Sequence, residues 1–259
     1  MHTIALVGNP NSGKTTLFNA LTGSTAYVGN WPGVTVEKKE GLTNGHKILD
    51  LPGIYSLSPY SPEEQISRRY ILNEQPDLII DVIDATNLER SLYLSTQLAE
   101  LGRPLLLALN MEDLLVKEGI AIDTKRLSQM FGTPVVQISA AKGTGIAELK
   151  VEIEHALSNP QTPPCPLFSS SIERKLTTLI EDDYLHEIPH GRQMRWAAIK
   201  LLEGDELFLE TMPPIPPGLN TYLEETRTHL QELYDDDVES IIVDQRYKVA
   251  ERLARESLI

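Results

Sequence analysis

The sequence predicts an α/β domain built on a mostly parallel sheet flanked by helices, followed by a small all-α domain. Three observations carry that expectation. The first 160 residues alternate short apolar runs with helix-like stretches, the pattern of a sheet covered by helices. The rest of the chain has apolar residues only at helical spacing. Between them lies Asn159-Pro160-Gln161-Thr162-Pro163-Pro164-Cys165-Pro166, whose prolines cannot continue a helix. We therefore expect two domains, 1–160 and 161–259.

Thr3–Val7, Leu78–Ile83, Pro104–Leu109 and Val135–Ile138 are short runs rich in Ile, Leu and Val, as strands buried on both faces require. Lys14–Leu21, Glu63–Leu72, Leu88–Leu101, Thr124–Phe131 and Gly145–Leu157 are expected as helices. Val34–Lys39 and His46–Leu49, joined through Asn44-Gly45, read as an antiparallel pair added to the parallel sheet. In the second domain, Ile172–Leu185, Arg192–Leu202, Leu219–Leu233 and Val238–Leu258 are expected helices, with Met212–Gly218 a stiff proline-rich connector.

The chain is acidic, with 37 Asp and Glu against 23 Lys and Arg, a net charge of −14. Residues 1–160 carry 18 acids and 13 bases, and residues 161–259 carry 19 and 10. This argues against nucleic acid as a partner, since such surfaces are basic. The single cysteine, Cys165, excludes an internal disulfide and fits a reducing compartment. No apolar run approaches the 18 or so residues of a membrane span, and Met1–Val7 lacks the features of a signal peptide. The histidines have no ligand spacing; His186 and His190 come closest, but Pro189 breaks the helix that would align them.

Gly8-Asn9-Pro10-Asn11-Ser12-Gly13-Lys14-Thr15 fits G-x-x-x-x-G-K-[ST] between a strand and a helix, with Thr16 next along the helix. Glycines there let backbone N–H groups turn inward around phosphates, and the helix N-terminus adds positive potential. Lys14 reaches the β- and γ-phosphates and the Thr15 hydroxyl ligates Mg²⁺. Asp50-Leu51-Pro52-Gly53 fits D-x-x-G: Asp50 holds Mg²⁺ through water and the Gly53 N–H meets the γ-phosphate. Asn110-Met111-Glu112-Asp113 follows a strand and matches N-x-x-D, with Met111 where many such proteins carry Lys. The Asp113 carboxylate can accept from guanine N1–H and N2–H₂, a donor pair adenine lacks, which gives discrimination of roughly 10⁴-fold. Ser139-Ala140-Ala141 matches the loop whose backbone N–H meets guanine O6. Asn110 would brace the loop and reach the base, although Asn110 or Ser139 taken singly would serve equally as a helix N-cap. All four loops follow strands, where ligands of open α/β sheets bind. The first domain is thus expected to be a P-loop GTPase domain of the Ras-like kind.

With Val28-Gly29-Asn30-Trp31-Pro32-Gly33-Val34-Thr35-Val36-Glu37, Ile54-Tyr55-Ser56-Leu57 and Asp84-Ala85-Thr86-Asn87-Leu88-Glu89-Arg90, these motifs resemble the cytosolic N-terminal part of the ferrous iron transport protein B (FeoB) family. The resemblance covers essentially the whole chain. It implies GTP hydrolysis coupled to a polytopic Fe²⁺ permease on the cytoplasmic side of the bacterial inner membrane. This chain would be a soluble fragment of such a protein, with self-association left open. It also implies that Thr35, with Gly33 and Val34 beside it, belongs to switch I and closes on Mg²⁺ and the γ-phosphate. Asn11 would hold a K⁺ together with carbonyls near Gly29 and Trp31, replacing an arginine finger. Where Ras-like enzymes carry a catalytic glutamine this chain has Ile54, which cannot orient water, so hydrolysis is expected to be slow. Tyr55, Ser56, Glu63 and Glu64, in the switch II segment that follows Gly53, are candidates to position switch I, and equally a solvated loop and helix start. Trp31 either packs on the surface or meets a partner. Two competing readings are a soluble potassium-activated GTPase of the ribosome-assembly or tRNA-modification type, and a GTP-gated interaction module with negligible turnover.

Overall fold

The computed structural model describes residues 1–23, 26–58, 60–186 and 194–259. The first domain contains, in chain order, β1 (Thr3–Gly8), α1 (Lys14–Thr22), β2 (Tyr27–Asn30), β3 (Glu37–Thr43), β4 (His46–Asp50) and α2 (Pro62–Glu74). Then come β5 (Leu78–Asp84), a single 3₁₀ turn (Ala85–Asn87), α3 (Leu88–Glu100), β6 (Leu105–Asn110), α4 (Glu112–Glu118), α5 (Thr124–Phe131), β7 (Val135–Gln137) and α6 (Ile146–Ser158). The helical part comprises α7 (Ser170–Ile180), α8 (Asp183–His186), α9 (Met194–Glu203), α10 (Glu206–Leu209), α11 (Pro217–Tyr234) and α12 (Val238–Ser257).

The sheet order is β2-β3-β4-β1-β5-β6-β7, parallel from β4 through β7 and antiparallel over β2-β3-β4. The two-residue period of a strand sorts its side chains between two cores. Ala5, Val7, Ile79, Ile83, Leu107 and Leu109 join a cluster with α2, α3 and α5. Ile4, Leu6, Ile80, Val82, Leu106 and Ala108 join a second with Leu17 and Phe18 of α1 and Leu149 and Ile153 of α6. The strands therefore read as unbroken apolar runs because both faces are covered. The Asn44-Gly45 turn has positive φ at both residues, as a two-residue hairpin demands.

The apolar cluster under α2 and α3 continues into the helical part through residues such as Ile172, Trp196, Leu223 and Ile242. The connector is docked: a Cβ at Gly132 would stand 2.2 Å from Pro164 Cδ, and the Cys165 thiol lies 3.6 Å from the Ala99 carbonyl. At the far end, the Asp123 N–H donates to Ser257 O and the Ile259 N–H to Ala121 O. No helix among the described residues is long and apolar enough to cross a membrane.

Several boundaries differ from expectation. Val34 and Thr35 form a bend, Val36 is irregular, and the strand starts at Glu37. Ile172–Leu185 is two helices, interrupted where the Asp182 carboxylate accepts from the Tyr184 N–H and starts a new turn. Helix α9 is described from Met194; Arg192 and Gln193 of the expected helix, like His190 of the weak metal pair, lie outside the described residues. Strand β2 and helices α4 and α10 were not expected.

Candidate nucleotide site

The four loops meet at the carboxyl ends of β1, β4, β6 and β7. Asn110, 4% exposed at the end of β6, ties three of these segments together. Its Nδ2 donates to the Ser12 carbonyl at 2.8 Å, and its Oδ1 accepts from the Ala140 N–H at 2.9 Å. One amide thus spans the phosphate loop and the Ser139-Ala140-Ala141 loop. This explains Gly13: its φ is +84°, and a Cβ there would sit 2.1 Å from Asn110 Nδ2. Asp113 lies in the first turn of α4, after Met111 at φ +71°. Its carboxylate accepts from the Ser139 hydroxyl at 2.8 Å and faces Lys142 Nζ at 3.5 Å. The Ser139 bond, then Lys142, hold its pKa below the ordinary value, so it remains an acceptor at neutral pH.

At the phosphate end, the Lys14 ammonium pairs with Asp50 Oδ1, and the Thr15 hydroxyl donates to Asp50 Oδ2 at 2.8 Å. Hydroxyl and carboxylate oxygens converging in this way suit a hard divalent cation, so Thr15 and Asp50 fit Mg²⁺. Among the described residues the buried Ser12 hydroxyl has no hydrogen-bond partner, nor has Asn9 Oδ1, the polar surplus a bound ligand would use. Gly53 lies against the phosphate loop: its Cβ would stand 3.1 Å from Pro10 Cα, and the Ile54 N–H donates to the Gly8 carbonyl. The Ile54 side chain is 1% exposed in the core, turned from the phosphate side. Asn11 and Thr16 are exposed along the cradle, Asn11 with φ +66°.

Switch I lies elsewhere. Gly29 pairs with Lys38 in the β2–β3 ladder. Trp31-Pro32-Gly33-Val34 makes a turn in which the Trp31 carbonyl accepts from the Val34 N–H at 3.3 Å, with Gly33 at φ +77°. Trp31 packs edge-on against Tyr70 of α2, ring centroids 5.6 Å apart, beneath Lys38. Thr35 is exposed and bonds none of the described residues. The structure therefore brings Thr15 and Asp50 together, while Thr35 hydrogen-bonds to neither among the described residues.

Glu64 closes a capping box with Ser61 and accepts from the Ser56 and Ser58 hydroxyls at 3.0 and 2.7 Å. It organises its own loop. Tyr55 lies under Arg90, 4.4 Å from ring centroid to guanidinium. Sequence reasoning missed Arg68 of α2, which grips Asp205 bidentately at 2.8 and 2.9 Å, and Gln97 of α3, whose Oε1 accepts from the Leu57 N–H. Neither lies in a motif, and both partners are remote in sequence.

Comparison with known proteins agrees with this geometry. Residues 2–153 match the family model described as ferrous iron transport protein B, and residues 168–259 match the FeoB cytosolic helical domain. The Fe(2+) transporter FeoB of Salmonella typhimurium is 42% identical over 95% of this chain and 32% of its own length. The chain spans about a third of the length of the curated relatives it matches. A GDP-bound mutant of the S. thermophilus FeoB G-domain superposes with a TM-score of 0.93 at 42% identity, covering 100% of both chains. An S. thermophilus NFeoB mutant bound to GMPPNP superposes at 0.86, with 42% identity over 98% of this chain and 100% of that one. With residues 2–153 and 168–259 matched by its two family models, this chain belongs to the ferrous iron transport protein B family, as a cytosolic G domain joined to its helical domain.

Proposed function

We propose that residues 1–160 bind GTP and GDP with Mg²⁺ and hydrolyse GTP slowly. Residues 161–259 would read the switch segments and pass their state to the membrane part of an Fe²⁺ transporter, on the cytoplasmic side of the inner membrane. The observation that carries this is the Asn110 amide bridging Ser12 and Ala140, which joins phosphate-binding and base-binding loops into one site. The nucleotides named for the similar S. thermophilus proteins support the choice of ligand.

In the proposed cycle Lys14 leaves Asp50 for the β- and γ-phosphates, where its charge offsets the negative charge of the transition state. The buried Ser12 hydroxyl and the loop N–H groups complete the cradle. Thr15 and Asp50 would hold Mg²⁺, which neutralises phosphate charge when bound. Gly53, already against the phosphate loop, and Thr35, after switch I leaves Tyr70, would close on the γ-phosphate. Asp113 and Ala140 read the base. Ile54 is apolar and buried, so its position offers no side chain to orient water, which favours slow turnover. Potassium dependence belongs to the proposal as a property to measure.

The test is steady-state phosphate release with Mg²⁺, comparing GTP with ATP and K⁺ with Na⁺. The expected result is slow release from GTP, faster in K⁺, and none from Lys14→Ala. Equal rates in the two salts would remove the potassium role. Equal rates with ATP and GTP would overturn the guanine assignment.

A further inference from the structure

We propose that Gln97 is a positioning residue for the nucleotide cycle, through which α12 of the helical domain sets the backbone of switch II. The segment after Gly53 has few anchors. The Ile54 N–H is held by the Gly8 carbonyl, while Ser56 and Ser58 bond Glu64, within switch II and its own helix. The Leu57 N–H is different. It donates to Gln97 Oε1 at 2.6 Å, with both residues at 5% exposure or less.

The other end of that amide is also held. Gln97 Nε2 donates to the Tyr93 hydroxyl at 3.4 Å, and the Tyr93 ring stacks on Tyr247 of α12 with centroids 4.4 Å apart. An amide has one acceptor and one donor end, and only the carbonyl end suits a backbone N–H. The Leu57 N–H therefore fixes its orientation, and the Tyr93 hydroxyl, which can also accept, meets the donor end. The line Tyr247, Tyr93, Gln97, Leu57 runs from the helical domain to the loop that carries Gly53. Beside it lies a polar cleft of about 610 Å³, lined by Ser56, Ser58, Gln97 and Arg246. Gln97 touches none of the groups placed at the phosphates or base, so its effect belongs to the rate of switching, not to affinity.

This role rests on the GTPase reading above. Gln97→Met keeps shape and burial but removes the acceptor, whereas Gln97→Glu keeps the acceptor. The experiment measures amide exchange at Leu57 and steady-state GTP turnover in the full chain. Gln97→Met is expected to speed Leu57 exchange roughly tenfold, since a buried N–H loses its partner. It should lower kcat about fivefold or more, with KM changed less than about twofold. Gln97→Glu should restore both, and Tyr247→Leu should shift both in the direction of Gln97→Met. Identical behaviour of the Met and Glu variants would overturn the proposal, as would faster exchange with unaltered kcat. Absence of turnover in the parent chain would instead fail the GTPase reading, and this role with it.

Discussion

Asn110 concentrates the site's dependence on single atoms. Its two hydrogen bonds are buried and use both ends of the amide. Asn110→Ala removes both and leaves the Ser12 carbonyl and Ala140 N–H without that partner, each costing roughly 1–3 kcal/mol. The expected outcome is a loss of GDP affinity of roughly 100-fold, read with a fluorescent GDP analogue. The motif spacing pointed to this residue, since N-x-x-D at a strand end implies a loop-bracing asparagine. Its twin partners were not legible, because they lie 98 and 30 residues away. Asp81 makes a different point. It is buried in β5 with the Ser95 hydroxyl as partner, and burial pushes its pKa from 3.8 up to about 7. An acid whose pKa is raised on folding costs stability as pH climbs through the interval between its unfolded and folded values. The stability of Asp81→Asn relative to the parent should therefore grow between pH 4 and pH 8, by at most about 4 kcal/mol. Urea titrations of both proteins at the two pH values check this, and an unchanged difference would place Asp81 at its ordinary pKa.

Elements were legible where local chemistry agreed with burial. Helix α5 has the bounds Thr124–Phe131 that its sequence predicts, because Asp123 caps one end by accepting from the Arg126 N–H and Gly132 turns left-handed at the other. Strand β2 was missed for a physical reason. It has four residues, one of them Gly29, and lies largely exposed on the sheet edge, so no alternation marks it. Its partner β3 is the reason it exists. Helix α4 carries readable signals: Glu112 and Asp113 in the first turn, Lys117 in the last and Gly119 as the C-cap. The switch I turn depends on Trp31 lying on Tyr70, so the emission of Trp31 should shift when Thr35 is drawn to the nucleotide. The check is fluorescence of a Trp196→Phe variant, which leaves Trp31 as the one indole, in GDP and in a non-hydrolysable GTP analogue. Identical spectra in the two states would contradict a moving switch I.

At the scale of the molecule, the residues before and after the proline-rich connector share one continuous apolar cluster and a buried ionic chain. Arg246 of α12 binds Glu100 of α3 bidentately at 2.9 Å and Glu203 at 2.9 Å. Lys200 bridges Glu203 to Asp205, and Asp205 holds Arg68 of α2. Burial pushes the Arg246 pKa down, but the two carboxylates outweigh it and raise it, so the side chain stays charged. Removing one member strands a buried charge. Arg246→Met should cost about 3–5 kcal/mol in chemical unfolding, and Arg246→Met with Glu100→Leu should recover most of it. Equal losses in the single and double variants would show that packing alone joins the domains. No sequence pattern announces a pair 146 residues apart, although the helical periodicity of Val238–Leu258 did announce the helix that delivers it. Calorimetric titration of GDP and ADP into the parent chain and Asp113→Asn tests whether these loops form one guanine-nucleotide site. The parent is expected to prefer GDP by roughly 10⁴-fold, and Asp113→Asn to lose most of that preference while the phosphate cradle stays intact. Equal affinity of the parent for GDP and ADP, or a preference for GDP unaltered by Asp113→Asn, would contradict it.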